Sequence, residues 1–234
     1  MRSVRSARKP GGFFVENNME KGIFAVYKPK GISSYDVIRV LKRHFPGEKI
    51  GHGGTLDPLA EGVLVVAVGR EATKQLHTVL NGTDKEYDVT IELGKVSATD
   101  DAEGPVTLYE PQTKEQPTHQ KISAILQTFQ GTIEQIPPQY SAVKVKGKTA
   151  YSRARKGEST LLTPKKVHIT SLEIVSYHYP MLSLKIVCGS GVYIRAIARD
   201  LGESLKVGGY VVALKRTRVG TFVSEKALPL LERN

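Results

Sequence analysis

Hydrophobic and polar positions fall into two periods along this chain, and one unbroken apolar run, Val63 to Val68, stands apart from both. A run of that length, rich in valine, predicts a strand buried on both faces. Apolar or alternating stretches at Gly22 to Tyr27, Glu86 to Leu93, 166–177, 181–188 and Tyr210 to Val219 predict further strands. The helical period is seen where Val37, Ile38, Leu41 and Phe45 share one face. That segment lies behind a Ser33 and Asp36 capping-box pair and ahead of a Pro46-Gly47 stop. Glu71 to Leu80 predicts a shorter helix that ends at Asn81-Gly82. Ile122, Ile125, Leu126 and Phe129 predict another, closed by Gly131. A last one has Ile194, Ile197, Ala198, Leu201 and Leu205 on one face and is opened by Gly189-Ser-Gly191.

Several strand pairs are joined by turns too short for the crossover that parallel strands need. The expected fold class is therefore α+β: a mixed, largely antiparallel central sheet flanked by helices. Residues 1–18 show no sustained period, and Arg2, Arg5, Arg8 and Lys9 precede Pro10-Gly11-Gly12. They predict a flexible basic arm, with Met19 a candidate for the original start, ahead of one folded domain over 19–234.

Charge narrows the partners. Against 23 Asp and Glu stand 34 Lys and Arg, a formal net charge of +11. That excess favours a polyanion, and nucleic acid before a membrane surface, because no basic helix with an exposed apolar face stands out. The single cysteine, Cys188, excludes an internal disulfide scaffold and a Cys-rich zinc site, and fits a reducing cytoplasm. No apolar run approaches the roughly 20 residues of a membrane-spanning helix. Neither nucleotide-binding glycine pattern is met, and the histidines lack zinc-ligand spacing, so neither a nucleotide cofactor nor a metal is indicated.

Candidate chemistry concentrates in three places. Gly51-His-Gly-Gly-Thr-Leu-Asp-Pro-Leu-Ala-Glu-Gly62 is dense in glycine, which permits close approach of backbone to a ligand. Pro58 pushes Asp57 out of helical angles, so that its carboxylate is presented at a loop edge. A glycine turn in which Asp57 merely caps backbone fits the same pattern. Arg195 lies in the first turns of its helix, at the unfavourable end of the dipole, where an anion such as Asp57 would compensate it; an ordinary surface arginine is the alternative. Lys144, Lys146, Lys148, Arg153, Arg155 and Lys156 interleave with Tyr140 and Tyr151, a pattern suited to an RNA backbone and unstacked bases or to a merely solvated hairpin. Lys215, Arg216 and Arg218 add a basic cluster. Asp100, Asp101 and Glu103 predict a solvated acidic turn with a structural carboxylate rather than a metal site.

A series of motifs in chain order extends this picture. Tyr27-Lys-Pro-Lys-Gly-Ile-Ser-Ser34, Gly51-His-Gly-Gly-Thr-Leu-Asp-Pro58 and Gly69-Arg-Glu-Ala-Thr-Lys74 come first. Lys85-Glu-Tyr87, Pro137-Pro-Gln-Tyr-Ser-Ala-Val-Lys144, Gly191-Val-Tyr-Ile-Arg195 and Asp200-Leu-Gly202 follow. Together they resemble the motifs of bacterial tRNA pseudouridine-55 synthases of the TruB type, over about residues 20–225.

The resemblance implies Asp57 as nucleophile, Tyr87 as the aromatic that stacks on the target base and moves its proton, and Arg195 as the partner of Asp57. It makes His52 the residue that fills the space left by a flipped nucleotide, Tyr193 and Leu214 pocket-lining residues, and Lys28 with Pro29 supports of the site. Residues 137–160 become a thumb-like insertion whose Lys144, Lys146 and Lys148 grip RNA. The implied reaction converts the uridine at position 55 in the T loop of tRNA to pseudouridine, with no cofactor. A carboxylate can attack and leave again, an arginine keeps it charged, and the nucleotide must first leave its stack. The implied partner is the T arm of tRNA, with no membrane and no protein partner, for a cytoplasmic monomer. A non-catalytic tRNA-binding or folding module and a guide-dependent RNA pseudouridine synthase are the alternatives.

Gly53, where many members carry Thr, and Glu61, where a small residue is common, depart from the family pattern. The end at Asn234 implies that the PUA-type RNA-binding domain of many members is missing.

Overall fold

The computed structural model describes residues 13–14, 20–110, 115–145, 147–158 and 160–232. In chain order its main elements begin with β1 (Gly22–Lys28), α1 (Ser34–His44), β2 (Ile50–Gly53), β3 (Glu61–Val68), α2 (Arg70–Leu80) and β4 (Lys85–Leu93). They continue with α3 (His119–Thr128), β5 (Gly131–Gln135), α4 (Ala150–Ala154), β6 (Lys165–His178) and β7 (Met181–Cys188). The last are α5 (Ile194–Leu205), β8 (Gly209–Val219), β9 (Phe222–Val223) and β10 (Leu228–Pro229). Two compact units divide the chain: Met1–Tyr87 with Lys215–Asn234, and Asp88–Leu214. β4 and β8 have residues in both.

The first unit is organised on the apolar run. β3 is antiparallel to β1, with Gly22 opposite Val68 and Lys28 opposite Gly62. Its other edge pairs antiparallel with β2 at residues 65–68 and parallel with β8 at Lys215 and Arg216. The run is apolar throughout because both faces are covered. Leu64 and Val66 join Val26, Val37, Ile38 and Leu41 beneath α1, whereas Val63, Val65 and Ala67 join Leu76 of α2 and Val219. Each buried Val or Leu contributes about 1.5–3 kcal/mol by leaving water, so the loop between β2 and β3 hangs from a rigid strand. The capping box forms as expected: the Ser33 side chain accepts from the Asp36 amide and the Asp36 carboxylate accepts from the Ser33 amide.

The expected basic arm is corrected at one point. Phe13–Phe14 pairs antiparallel with Leu231–Glu232, and Phe13 is buried in the cluster beneath α1. An aromatic pair after Pro-Gly-Gly is enough to make a short edge strand, which a search for sustained periods overlooks. Residues 1–12 and 15–19, Met19 included, lie outside the described residues.

In the second unit the strand order is β8-β4-β7-β6-β5. β6 and β7 form a long antiparallel hairpin, and β5 lies antiparallel on β6 with Ile133 opposite Val167. A Cβ on Gly202 of α5 would stand 2.2 Å from backbone atoms of Gly208 and Gly209, so only glycine lets the helix lie this close to the start of β8. The basic insertion folds into a small hairpin, Lys144–Val145 with Lys148–Thr149, followed by α4 with Thr149 as its cap. α4 is too short to show a period in sequence. The mixed, mostly antiparallel sheet with flanking helices agrees with the expected fold class. Among the described residues no helix is long and apolar enough to cross a membrane.

Candidate active site

Asp57 is half-buried in the loop between β2 and β3, and that loop is bonded on both shoulders. Ser34, buried in the first turn of α1, uses its hydroxyl twice: it accepts from the Leu56 amide at 2.8 Å and donates to the Leu56 carbonyl at 2.9 Å. The Gly31 amide donates to the Pro58 carbonyl at 2.8 Å, and the Ala60 amide closes a turn on the Asp57 carbonyl at 3.1 Å. The Tyr27–Ser34 motif therefore grips the residues on either side of the carboxylate. On the far shoulder Arg216, only 1% exposed, donates from Nε to the Val63 carbonyl at 2.8 Å and from Nη2 to the Gly54 carbonyl at 2.9 Å. A backbone fixed at several points presents its side chain in one place, which a positioned nucleophile requires.

Lys28 is wholly buried, and its ammonium donates to the carbonyls of Pro29 and Ile32 at 2.9 and 2.7 Å. It ties the 28–32 turn together from inside. Tyr87 is buried on β4. The two departures from the family pattern also have local partners. The Leu80 side chain occupies the place a side chain at Gly53 would take. Glu61 accepts from the Tyr27 hydroxyl, and burial together with that carboxylate pushes Tyr27 up to about 12.

His52 stands on β2 opposite Val66. Burial, helped by the charge of Arg216 and opposed by a hydrogen bond with its own backbone, holds its imidazole below the ordinary 6.5. Folded His52 thus resists a proton that the unfolded chain accepts. Its contribution to stability is full above 6.5 and is lost as pH falls through the lowered value. Melting temperatures of wild type and His52→Gln should therefore diverge as pH falls from about 8 to 5, wild type losing more; parallel curves would contradict this.

In the second unit Arg195, the second residue of α5, is 5% exposed and forms an ion pair with Asp101 at 3.3 Å. Its guanidinium also donates to the carbonyls of Thr99 and Tyr140 at 2.8 and 2.9 Å. The anion expected at this helix start is thus supplied at least by Asp101, which also accepts from the Thr99 hydroxyl and the Glu103 amide. In the acidic turn Glu103 is exposed, while Asp101, 1% exposed, is the structural carboxylate expected. Beside it Asp100 pairs with Arg199 at 3.1 Å, and burial, outweighing the nearby Arg199 and Arg195, pushes it up to about 6. Buried Gln135 at the end of β5 clamps the backbone of Tyr193, donating to its carbonyl at 3.1 Å and accepting from its amide at 2.8 Å. Leu214 is buried; Lys144 and Lys148 are exposed. Tyr140 and Tyr151 meet edge to face at 6.2 Å, with Arg155 over the Tyr151 ring. Lys146 lies outside the described residues.

Four supporting residues escaped the reading of the sequence or were misread. Ser34 stands in the sequence only as the last residue of the Tyr27–Ser34 motif, with no role of its own. Arg216 stands in the sequence only as one of a basic cluster, although its place two residues after Leu214 puts it on the inward face of β8, a signal that marks it. Its neighbour Arg218 lies against Glu86 at 3.5 Å. Asp101 gave an acidic signal without its partner, and Gln135 gave none. Among the described residues no three or more His, Cys, Asp or Glu converge as metal ligands would.

Known proteins supply an independent comparison. A family model described as TruB family pseudouridylate synthase, N-terminal domain, matches residues 42–194, and one described as tRNA pseudouridylate synthase B C-terminal domain matches residues 195–232. Proteins named tRNA pseudouridine synthase B are similar to this chain. The one from Mycobacterium sp. (strain KMS) is 43% identical over 213 residues, covering 89% of this chain and 70% of that protein. The one from Rhodopseudomonas palustris is 45% identical over 206 residues, covering 88% and 55%. Among solved structures, a chain in a Cbf5-Nop10-Gar1 complex is 26% identical with a TM-score of 0.68, over 96% of this chain and 59% of its own.

Proposed function

This chain belongs to the TruB family of pseudouridylate synthases, and from that premise we propose that it isomerises uridine to pseudouridine in tRNA, at position 55 of the T loop, without a cofactor. The observation that carries the reading is the Asp57 loop, whose backbone is bonded to Ser34, Gly31 and Arg216 so that one carboxylate is offered in a fixed place.

In the reaction the bond between N1 and the sugar C1′ breaks, the base turns, and a bond forms between C5 and the same C1′. The C5 hydrogen leaves as a proton and N1 gains one. Asp57 adds to the sugar or to the base and departs, so it is regenerated in each cycle. Arg195 keeps that carboxylate ionised, and Tyr87 stacks on the base and moves the proton. His52, whose imidazole burial holds below its ordinary value, enters the stack that the flipped nucleotide leaves, a neutral ring costing less to desolvate there than an imidazolium. Tyr193 and Leu214 line the pocket, and Lys144, Lys146 and Lys148 meet phosphates of the T arm. The enzyme acts as a cytoplasmic monomer.

Tritium release from a tRNA transcript labelled at uridine C5 tests this reading. Release by the purified protein alone, with no guide RNA, is the expected result. Tight binding without release would replace it by a tRNA-binding module, and release only with a guide RNA would replace it by a guided synthase.

A further inference from the structure

We infer that the loop ahead of Asp57 carries a phosphate cradle, formed by Gly54, Arg216 and Lys85, which takes an RNA backbone phosphate next to the nucleotide presented to Asp57. The inference rests on the tRNA-modifying reading above.

Arg216 is the starting point. Burying a guanidinium is costly unless it is paired, and Arg218, two residues along the same strand, has the carboxylate of Glu86. Arg216 has two carbonyls, and among the described residues no carboxylate lies within ion-pair distance of it. Those carbonyls engage Nε and Nη2. The remaining nitrogen, Nη1, is turned toward Gly54, 3.3 Å from the point where a Cβ on that residue would stand.

Gly54 is exposed and has φ of +77°, so the position disfavours any side chain on backbone grounds, and a Cβ there would stand against Nη1. Lys85 approaches the same point, its Cε 3.9 Å away. Its ammonium donates to the Thr83 carbonyl at 3.4 Å, and with three donors on a flexible stem it can add a phosphate oxygen to the partners it has. A tetrahedral anion accepts from a guanidinium nitrogen and an ammonium at once. The net charge of +11 makes a polyanion its source, and the place three residues before Asp57 makes that source the RNA being modified. The phosphate would draw on the same guanidinium that holds the carbonyls of Gly54 and Val63, so RNA binding stiffens the catalytic loop.

The test uses a synthetic T-arm stem-loop in which the phosphate on either side of the target uridine is replaced in turn by a neutral methylphosphonate. With wild-type protein one of the two replacements should weaken binding about tenfold, as expected for a charged hydrogen bond. Lys85→Met and Gly54→Ala should each weaken binding of the unmodified RNA to a similar degree, and the methylphosphonate should then cost nothing further. An undiminished penalty in the variants, or no penalty at either position with wild type, overturns the cradle. Thermal unfolding reports whether each variant is folded, and Lys85→Met decides the matter if alanine at a left-handed position prevents folding. Tritium release by wild type on the same RNA is read separately. Conversion without coupling defeats the cradle alone, whereas absence of conversion defeats the functional reading.

Discussion

Asp57→Asn protein should bind a tRNA transcript within about twofold of wild type and release tritium from it at a rate reduced on the order of 10⁴-fold or more. The carboxamide has the shape of the carboxylate but no charge and little nucleophilicity at pH 7, so the step that opens the glycosidic exchange is lost while the surface offered to RNA is kept. A loss of that size corresponds to about 5 kcal/mol of transition-state stabilisation. The protein should stay folded, because the Leu56, Pro58 and Gly54 backbone bonds to Ser34, Gly31 and Arg216 hold the loop in the variant as well. Turnover by the variant within tenfold of wild type would remove Asp57 from the reaction.

The largest effect on stability is expected from Gly202→Ala. Alanine is normally the better helix residue by about 1 kcal/mol, but here its methyl would lie 2.2 Å from the Gly208 carbonyl carbon and the Gly209 nitrogen. Both are backbone atoms, so relief requires moving α5 off β8 and opening the core that Leu201 and Leu205 fill. A cost of about 4 kcal/mol or more, or a fall in melting temperature of roughly 10 °C, is the expected result, with activity failing in step because α5 carries Arg195. Gly157→Ala is the control. That glycine has φ of +76° and nothing within 4 Å of the added methyl, so it isolates backbone strain from contact. Gly202 has no left-handed φ, so equal losses in the two variants would mean that its contact costs no more than backbone strain alone.

What could be read from the sequence was whatever depends on near neighbours. The capping box at Ser33 and Asp36 and the stop at Pro46-Gly47 are local events, and the Val63 to Val68 run is apolar because two helices cover it. The reading of Asp57 as a presented carboxylate also came from adjacent residues, Pro58 and the glycines before it. What escaped depends on partners far along the chain. Gln135 meets Tyr193, and Arg195 meets Asp101, only after β5, β8 and α5 have assembled. Charge was misleading in another way: Lys215, Arg216 and Arg218 form one basic cluster on paper, but Arg216 is 1% exposed, Lys215 is half-buried on the alternate face, and Arg218 is half-buried against Glu86. Phe13 shows the converse, a single aromatic buried from a segment whose composition predicts only mobility.

The hydrogen bond from Arg195 to the Tyr140 carbonyl ties the root of the basic insertion to the first turn of α5. One guanidinium thereby serves two masters, the acidic turn at 99–101 and the segment that leads to Lys144 and Lys148. In the proposed function, substrate grip and chemistry meet at this position. A change that loosens the insertion to admit a different RNA also shifts the arginine assigned to the reaction, so specificity in this chain is free to drift mainly at the tip of the insertion and is constrained at its root.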